Sequence, residues 1–175
     1  MSLFSTLYPD KCIDSAYSID YEGLFGEGYR GIIYDIDNTL VPDNAPADER
    51  SIELISRLKD MGYKCLILSN NDIGRVKSFS DMVGAEYIFK AGKPSRAGYL
   101  KAMEMMGTDV KTTFFVGDQL FTDIWGANRA GIRNFLVGRI DKRERTHIIF
   151  KRMLEKPIMF FYRLSLKKKG IPEDK

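Results

Sequence analysis

Short apolar runs alternate with longer stretches of helical periodicity along most of this chain. The runs that are typical of buried strands are Gly31–Asp35, Lys64–Ser69, Glu86–Phe89, Thr112–Asp118 and Arg133–Val137. Between them, apolar residues recur at helical spacing over residues 47–60, 72–83, 94–106 and 122–130. Strands that alternate with helices form parallel sheets covered on both faces, because each crossover places a helix on one face. The pattern predicts a three-layer α/β fold with a central parallel sheet of about five strands.

Polar residues follow three of these predicted strands. Asp35, Ser69 and Asp118 each come directly after an apolar run. Any one of them is explained most simply as the cap of the following helix. Three at equivalent strand ends favour a shared site, because ligands of open α/β sheets bind outside the carboxyl ends of the strands.

The segment after the first predicted strand carries two carboxylates, Asp35 and Asp37. At this spacing the two carboxylates can bind one metal ion and still have different catalytic roles. Asp35 can attack phosphorus as a nucleophile, and Asp37 can give a proton to the leaving group and later take one from water. Two anions this close need a cation, and a hard cation with oxygen ligands, most simply Mg²⁺, meets that need.

Three further segments offer groups that suit a phosphoryl site. The hydroxyl of Ser69 stands at a helix start with Asn70 and Asn71, where free amides bind anions. Either lysine of the segment 90–94 can reach the same edge and neutralise phosphoryl charge. The segment 117–123 offers Asp118 as a metal ligand, and Asp123 as an outer carboxylate or a partner for a lysine.

The composition excludes several other classes of site. With one histidine, His147, and two cysteines, Cys12 and Cys65, a two-histidine zinc site is excluded and a cysteine-rich zinc site is disfavoured. The chain lacks both the Cys-x5-Arg loop of cysteine phosphatases and the G-x4-G-K-[ST] loop of nucleotide-binding proteins. Two cysteines fit a reducing cytosol, so a cytoplasmic location is expected.

In this order, the four segments resemble motifs I to IV of the haloacid dehalogenase (HAD) superfamily of phosphotransferases, over about residues 29–138. The resemblance implies a Rossmann-like HAD core with Asp35 as the nucleophile that forms an aspartyl-phosphate and Asp37 as the general acid/base. It implies that Ser69, with the Asn70 amide, holds the phosphoryl group. Lys93, with Lys90 as the alternative, stabilises its charge.

The resemblance also implies a Mg²⁺ site. By this resemblance, Asp118 is expected to bind the ion together with Asp35 and the carbonyl of Asp37, with Asp123 as the alternative ligand. Because Asp37 is a carboxylate, the chain has the phosphatase form of the motif, which phosphomutases share.

The spacing of the motifs leaves no room for a cap domain. Residues 40–68 must hold a loop, a helix and a strand, and residues 70–92 a helix and a strand. The predicted site is therefore open, which suits a large or membrane-borne substrate, or a cap supplied by a neighbouring subunit. The motif residues are similar to the YqeG-type branch of capless subclass IIIA, which is itself similar to phosphatidylglycerophosphate phosphatases.

The basic excess of the chain lies entirely in its C-terminal part. Residues 139–175 contain 12 Lys and Arg against 5 Asp and Glu, whereas residues 1–138 contain 15 against 19. We divide the chain into an N-terminal segment packed on the core (1–28), a catalytic core (29–140) and a basic amphipathic C-terminal helix and tail (141–175).

Two interpretations of the basic tail are open. It is a last helix whose Ile149, Met153 and Phe160 cover the sheet, or a peripheral anchor on the anionic inner face of the membrane. The function expected is a Mg²⁺-dependent phosphomonoesterase acting on a lipid phosphate such as phosphatidylglycerophosphate. The alternatives are a soluble sugar-phosphate or phosphoprotein phosphatase, with oligomerisation open, and an RNA- or ribosome-binding protein, although nucleic acid is disfavoured as a partner.

Overall fold

Six parallel strands form one sheet, which carries helices on both faces. The computed structural model describes residues 5–141 and 146–168, and of residues 146–152 the backbone alone. The strands are β1 (Lys11–Ile13), β2 (Gly31–Tyr34), β3 (Lys64–Leu68), β4 (Glu86–Ile88), β5 (Thr113–Gly117) and β6 (Arg133–Val137). The helices are α1 (Tyr21–Gly26), α2 (Glu49–Asp60), α3 (Ile73–Val83), α4 (Arg96–Met106), α5 (Trp125–Ala130) and α6 (Thr146–Lys168), with short 3-10 turns at Ser5–Leu7 and Ala16–Ser18 and a π-helical turn at Leu120–Ile124.

The strand order places the predicted site residues side by side. The order across the sheet is β1-β6-β5-β2-β3-β4, and all neighbours are parallel. In register, Tyr34 of β2 lies beside Ile67 of β3 and Val116 of β5. The carboxyl ends of these three strands therefore meet at one edge of the sheet, as the sequence predicts.

The sheet has one strand more than the five predicted. The additional strand is β1, which pairs with β6 through Lys11 opposite Phe135. Strand β1 is only three residues long and partly exposed at the edge of the sheet. Its sequence therefore lacks the apolar run by which the other strands are predicted. It is joined to β6 by the side chain of Asp10, whose Oδ2 accepts a hydrogen bond of 2.9 Å from the Asn134 backbone amide.

Alternate residues of the central strands divide the core into two layers. On one face, Ile32 and Tyr34 of β2 pack in a cluster with residues of α1, α2 and α3. On the other face, Ile33 packs with residues of α4 and α5. Burial on both faces explains why the strand sequences are continuously apolar. The three-layer α/β prediction is confirmed.

The loops between the motifs are as short as the spacing predicts. Residues 40–92 are all described, and they hold α2, β3, α3 and β4 with their connections and no inserted domain. The first turn of α2 is fixed by a capping box between Asp48 and Ser51. Helix α4 begins at Arg96, two residues later than predicted, because the Ser95 hydroxyl caps it. Within the part of the chain that the structure describes, no cap domain therefore covers the carboxyl edge of the central strands.

Helix α6 contacts the core with residues other than those predicted from the sequence. Ile158 packs with Leu120 and Ile124 of the π turn, and Tyr162 is also buried. Met153 and Phe160, which the core-helix interpretation of the tail placed against the sheet, are exposed, and the side chain of Ile149 lies outside the described residues. The helix runs unbroken through Pro157. None of the described helices combines the length and the apolar character needed to cross a bilayer.

Candidate active site

Three acidic side chains converge at the carboxyl edge of the sheet. Asp35 directly follows β2, Asp118 directly follows β5, and Asp123 lies in the π turn. One carboxylate oxygen from each of the three lies within 4.8 Å of the others. All three residues are buried. The fold thus concentrates negative charge where the sequence predicts a phosphoryl-transfer site.

The lysine that joins these carboxylates is Lys93. Its Nζ donates hydrogen bonds of 2.7 Å to Asp35 Oδ1 and of 2.7 Å to Asp123 Oδ1. The lysine side chain is 3% exposed, so these are buried ion pairs. Lys90, the alternative for this position, is exposed. The structure therefore places Lys93, and not Lys90, beside the predicted nucleophile, and it makes Asp123 the partner of a lysine.

The electrostatics of the cluster favour bound cations. Burial raises the pKa of Asp35 to about 7; Lys93 opposes this effect, and the nearby carboxylates of Asp123 and Asp37 add to it. Burial alone lowers the pKa of Lys93, but the Asp123 and Asp35 carboxylates outweigh it and raise that pKa above its ordinary value. One lysine does not balance the charge of three carboxylates, so a further cation would stabilise the ionised form of Asp35.

The π turn fixes the position of Asp123. The Gln119 backbone amide donates a hydrogen bond of 3.1 Å to Asp123 Oδ2, and the Tyr99 hydroxyl donates one of 3.0 Å to the Asp123 carbonyl oxygen. A Cβ atom at Gly117 would lie 2.6 Å from Asp123 Oδ2. Glycine at 117 is therefore required for the approach of this carboxylate, and π turns of this kind are frequent at functional sites.

The segment that follows β3 holds Ser69 and Asn70 in different ways. Ser69 is 2% exposed, and its hydroxyl accepts a hydrogen bond of 3.2 Å from the Asn71 backbone amide. The Asn70 side chain pairs with the backbone of Lys93: its Oδ1 accepts from the Lys93 amide at 2.8 Å, and its Nδ2 donates to the Lys93 carbonyl at 3.1 Å. The side chain of Asn70 therefore positions Lys93, and the backbone amide of Asn70 is the group through which its predicted phosphate contact would be made.

The second predicted catalytic carboxylate, Asp37, is held on both oxygens. Asp37 Oδ1 accepts a hydrogen bond of 2.9 Å from the Asn44 backbone amide and one of 2.8 Å from Arg75 Nη2. Asp37 Oδ2 accepts from Asn71 Nδ2. The Asp37 side chain is 15% exposed. It is thus fixed in orientation and still reachable from solvent.

The contribution of Arg75 and Asn44 to this site is not evident in the sequence. Arg75 is 38 residues from Asp37 along the chain, and only the pairing of β2 with β3 brings them together. Asn44 lies in the loop 42–50, where no motif is recognisable. One signal was available: Arg75 stands in the first turn of α3, where a cation opposes the helix dipole and is unfavourable unless an anion faces it.

The donor set suits a hard divalent cation. The atoms that converge are carboxylate oxygens of Asp35, Asp118 and Asp123, with no sulfur or imidazole donor in the group. Oxygen ligands of this kind are those that Mg²⁺ prefers. Because Lys93 already pairs with Asp35 and Asp123, we expect Asp118 to give the cation its principal ligand, with Asp35 beside it.

Comparison with known proteins assigns the family. A family model described as haloacid dehalogenase-like hydrolase matches residues 41–131, about half of the chain. The chain belongs to the haloacid dehalogenase-like hydrolase family. This HAD chain is 36% identical over 163 residues to "Probable phosphatase YqeG" of Bacillus subtilis, covering 93% of this chain and 92% of that protein.

Two further relatives are more distant. The HAD chain is 28% identical over 155 residues to "Phosphatidylglycerophosphate phosphatase 1, chloroplastic/mitochondrial" of Arabidopsis thaliana, which covers 81% of this chain and 43% of that protein. A HAD phosphatase from Thermococcus onnurineus superposes with a TM-score of 0.51 at 16% identity, covering 67% of this chain and 90% of that one. The latter likeness concerns the fold alone. Together the comparisons confirm the predicted superfamily, the HAD fold and the enzyme class, a HAD-type phosphatase.

Proposed function

We propose that this chain is a Mg²⁺-dependent phosphomonoester hydrolase that works through an aspartyl-phosphate on Asp35. The observation that carries the proposal is the pairing of Lys93 with Asp35 Oδ1 at 2.7 Å, beside Asp37 and within the cluster of buried carboxylates. The lysine occupies one oxygen of the nucleophile, so the other oxygen, Oδ2, is the one that attacks. Residues 29–140 form the catalytic core in this proposal.

In the first half-reaction, the carboxylate of Asp35 attacks the phosphorus atom of the substrate. The bond between phosphorus and the leaving oxygen breaks, and protonated Asp37 gives its proton to that oxygen. The Ser69 hydroxyl and the Lys93 ammonium donate hydrogen bonds to the equatorial oxygens, where negative charge accumulates.

In the second half-reaction, Asp37 acts as a base. It takes a proton from a water molecule whose oxygen attacks the aspartyl-phosphate, and the bond between phosphorus and Asp35 breaks. Inorganic phosphate leaves, with Asp35 again a carboxylate and Asp37 again protonated. A bound Mg²⁺ supplies charge neutralisation and alignment of the phosphoryl oxygens. Its proposed protein ligands are Asp35, Asp118 and the carbonyl of Asp37.

The substrate proposed is a membrane-borne lipid phosphate such as phosphatidylglycerophosphate. One support is the similarity to the protein of Arabidopsis thaliana with that activity in its name. Another is the absence of an inserted domain over residues 40–92, which leaves the site accessible to a phosphate presented at a surface.

Helix α6 has a second apolar face that points away from the core. Ile158 and Tyr162 face inward, whereas Met153 and Phe160 are 61% and 59% exposed on the opposite side. Leu154, Phe161 and Leu164 widen this exposed face. Apolar residues on both sides of a helix are not explained by packing on the core alone, and the outward face is suited to a bilayer interface.

The charges around this outward face favour an anionic lipid surface. Lys156, Arg163 and Lys168 are exposed on α6. Glu155 is the single acidic residue between positions 153 and 168, and it faces the core, where its Oε1 accepts a hydrogen bond of 2.9 Å from the Leu120 amide. A symmetric contact between two copies would oppose these like charges, whereas each basic residue near an anionic bilayer contributes about 1 kcal/mol. We therefore propose peripheral attachment to the anionic inner face of the membrane.

Activity is tested by phosphate release in the presence of Mg²⁺. The substrates are phosphatidylglycerophosphate in vesicles, soluble sugar phosphates and a phosphopeptide, with Asp35→Asn as the matched inactive variant. We expect release from the lipid phosphate and none with Asp35→Asn, which keeps the size of the side chain and removes the nucleophile. If Asp35→Asn, shown by circular dichroism to be folded, hydrolyses phosphate at a rate close to that of the wild type, the mechanism is wrong.

Membrane attachment is tested separately, by sedimentation with vesicles. Vesicles of phosphatidylglycerol and phosphatidylcholine are compared with vesicles of phosphatidylcholine alone. The paired substitution of Phe160→Ser with Phe161→Ser should abolish sedimentation and preserve the rate on a soluble ester. Leu100→Ser, on the exposed side of α4, is the control. Equal sedimentation of the wild type, the double variant and Leu100→Ser with both kinds of vesicle would contradict attachment through α6. In the activity test, hydrolysis of soluble esters alone would support a soluble phosphatase.

A further inference from the structure

The contacts of Asp37 form a clamp, two of whose three groups, on Arg75 and Asn44, lie outside the four motif segments. We define the Asp37 clamp as the Arg75 guanidinium, the Asn71 side-chain amide and the Asn44 backbone amide. These groups come from α3, from the segment after β3 and from the loop after β2. Three donors from two stretches of the chain, the loop after β2 and residues 71–75, fix both oxygens of one carboxylate.

We propose that Arg75 is the positioning residue of this clamp and that it holds Asp37 in the orientation needed for proton transfer to the leaving group. The inference rests on the proposed function, because it assigns Asp37 a part in phosphoryl transfer. Proton transfer in a transition state depends on a donor held at hydrogen-bond distance in a defined direction. The carboxyl group of a freely rotating side chain does not point at the leaving group in a defined direction unless hydrogen bonds from other groups hold it.

The surroundings of Arg75 support a dedicated role toward Asp37. Its Nη2 makes the 2.8 Å contact with Asp37 Oδ1, and its guanidinium carbon lies 5.6 Å from the centre of the Phe79 ring. Arg75 Nε is buried and makes no hydrogen bond among the described residues. The Arg75 side chain is 15% exposed, like that of Asp37. The hydrogen bond to Asp37 Oδ1 is therefore the one hydrogen bond of this guanidinium among the described residues.

The backbone of Arg75 is itself fixed by the start of helix α3. The Asp72 side chain caps α3 by accepting a hydrogen bond of 3.0 Å from the Arg75 backbone amide. The helix start therefore sets the direction in which the arginine leaves the backbone. Asn71, immediately before this cap, donates to the other oxygen of Asp37. One short segment, residues 71–75, thereby supplies two of the three donors.

The test measures kcat/KM with two aryl phosphates that differ in their need for a general acid. The leaving group of p-nitrophenyl phosphate departs as a stable anion, whereas that of phenyl phosphate depends more on protonation. Removal of the Arg75 guanidinium from the clamp by Arg75→Met should lower kcat/KM for phenyl phosphate by about 10- to 100-fold, which is part of what a general acid contributes. The loss for p-nitrophenyl phosphate should be much smaller. Arg75→Lys should recover part of the loss, because it restores the charge without the planar fork.

Lys77→Met is the matched control, since Lys77 is an exposed cation on the same helix that pairs with Asp81. It should leave both values unchanged. An equal loss of kcat/KM on both esters in Arg75→Met would overturn the proposal, because it would mean that Arg75 binds the phosphate group. No loss on either ester would overturn it as well. Wild-type protein that hydrolyses neither these esters nor phosphatidylglycerophosphate in vesicles would remove the proposed function itself, and the clamp with it.

Discussion

Replacement of Lys93 by methionine tests the electrostatic account of the buried cluster. The substitution preserves most of the side-chain volume and removes the cation that lies 2.7 Å from both Asp35 and Asp123. The two carboxylates are 9% and 1% exposed, so solvent does little to stabilise their charge. Removal of one partner from a buried ion pair destabilises proteins by about 3–5 kcal/mol. Against a typical free energy of unfolding of about 5–15 kcal/mol, that loss is large.

The assay is urea denaturation at pH 8 with a chelator present, followed by circular dichroism. We expect Lys93→Met to unfold at a much lower urea concentration than the wild type. Addition of Asp123→Asn to the variant should restore part of the stability, because one of the two uncompensated charges is then removed. Lys77→Met again serves as the control, since it removes an exposed cation and should change the midpoint little.

The effect of Lys93→Met should depend on pH in a defined direction. The pKa of Asp35 is raised to about 7 in the folded protein from an ordinary value of 3.8. The folded state therefore binds this proton more tightly than the unfolded state, and its contribution to stability is lost as the pH rises toward 7. At pH 5 Asp35 is protonated, so fewer buried charges lack a partner and the loss in Lys93→Met should be smaller. If the variant loses less than about 1 kcal/mol at pH 8, or loses equally at both pH values, the cluster is not held by the charge of Lys93.

Two further predictions concern the metal site and its geometry. Asp118→Ala should raise the Mg²⁺ concentration needed for the half-maximal rate of phosphate release, because it removes the expected principal ligand; the opposite result, in which Asp123→Ala alone has this effect, would exchange the two assignments. Gly117→Ala should lower the rate by roughly 100-fold in a steady-state assay, since a Cβ atom 2.6 Å from Asp123 Oδ2 forces that carboxylate to move. An unchanged rate in Gly117→Ala would show that the position of Asp123 is not critical.

The sequence predicts those parts of the molecule that a local pattern determines. Asp35 and Asp118 each end a continuously apolar run, so their positions at the carboxyl edge follow from the strand pattern alone. Strand β1 has no such run, because an edge strand of three residues needs only backbone pairing with β6. This pairing, like the adjacent contact of Asp10 with Asn134, joins residues about 124 positions apart along the chain, beyond the reach of a local pattern.

The Asp37 clamp and the core-facing side of helix α6 also could not be predicted from local sequence patterns. Arg75 reaches Asp37 only because β2 and β3 pair in the folded protein. No periodicity or spacing along the chain therefore predicts that contact. In α6, apolar residues occur on two sides of the helix, and the sequence alone does not decide which side faces the core. The structure shows that Ile158 and Tyr162 are buried against the core, whereas Met153 and Phe160 are exposed.

The pairing of the Asn70 side chain with the backbone of Lys93 makes two loops of the site mechanically dependent on each other. Asn70 adjoins Ser69, so two hydrogen bonds tie the loop that carries the predicted phosphoryl-binding hydroxyl to the loop that carries the ammonium beside Asp35. A shift of one loop during turnover must carry the other with it. We therefore expect the spacing between these two backbone segments to be maintained while a phosphate enters and leaves, so that adaptation to substrates of different size falls to residues outside them.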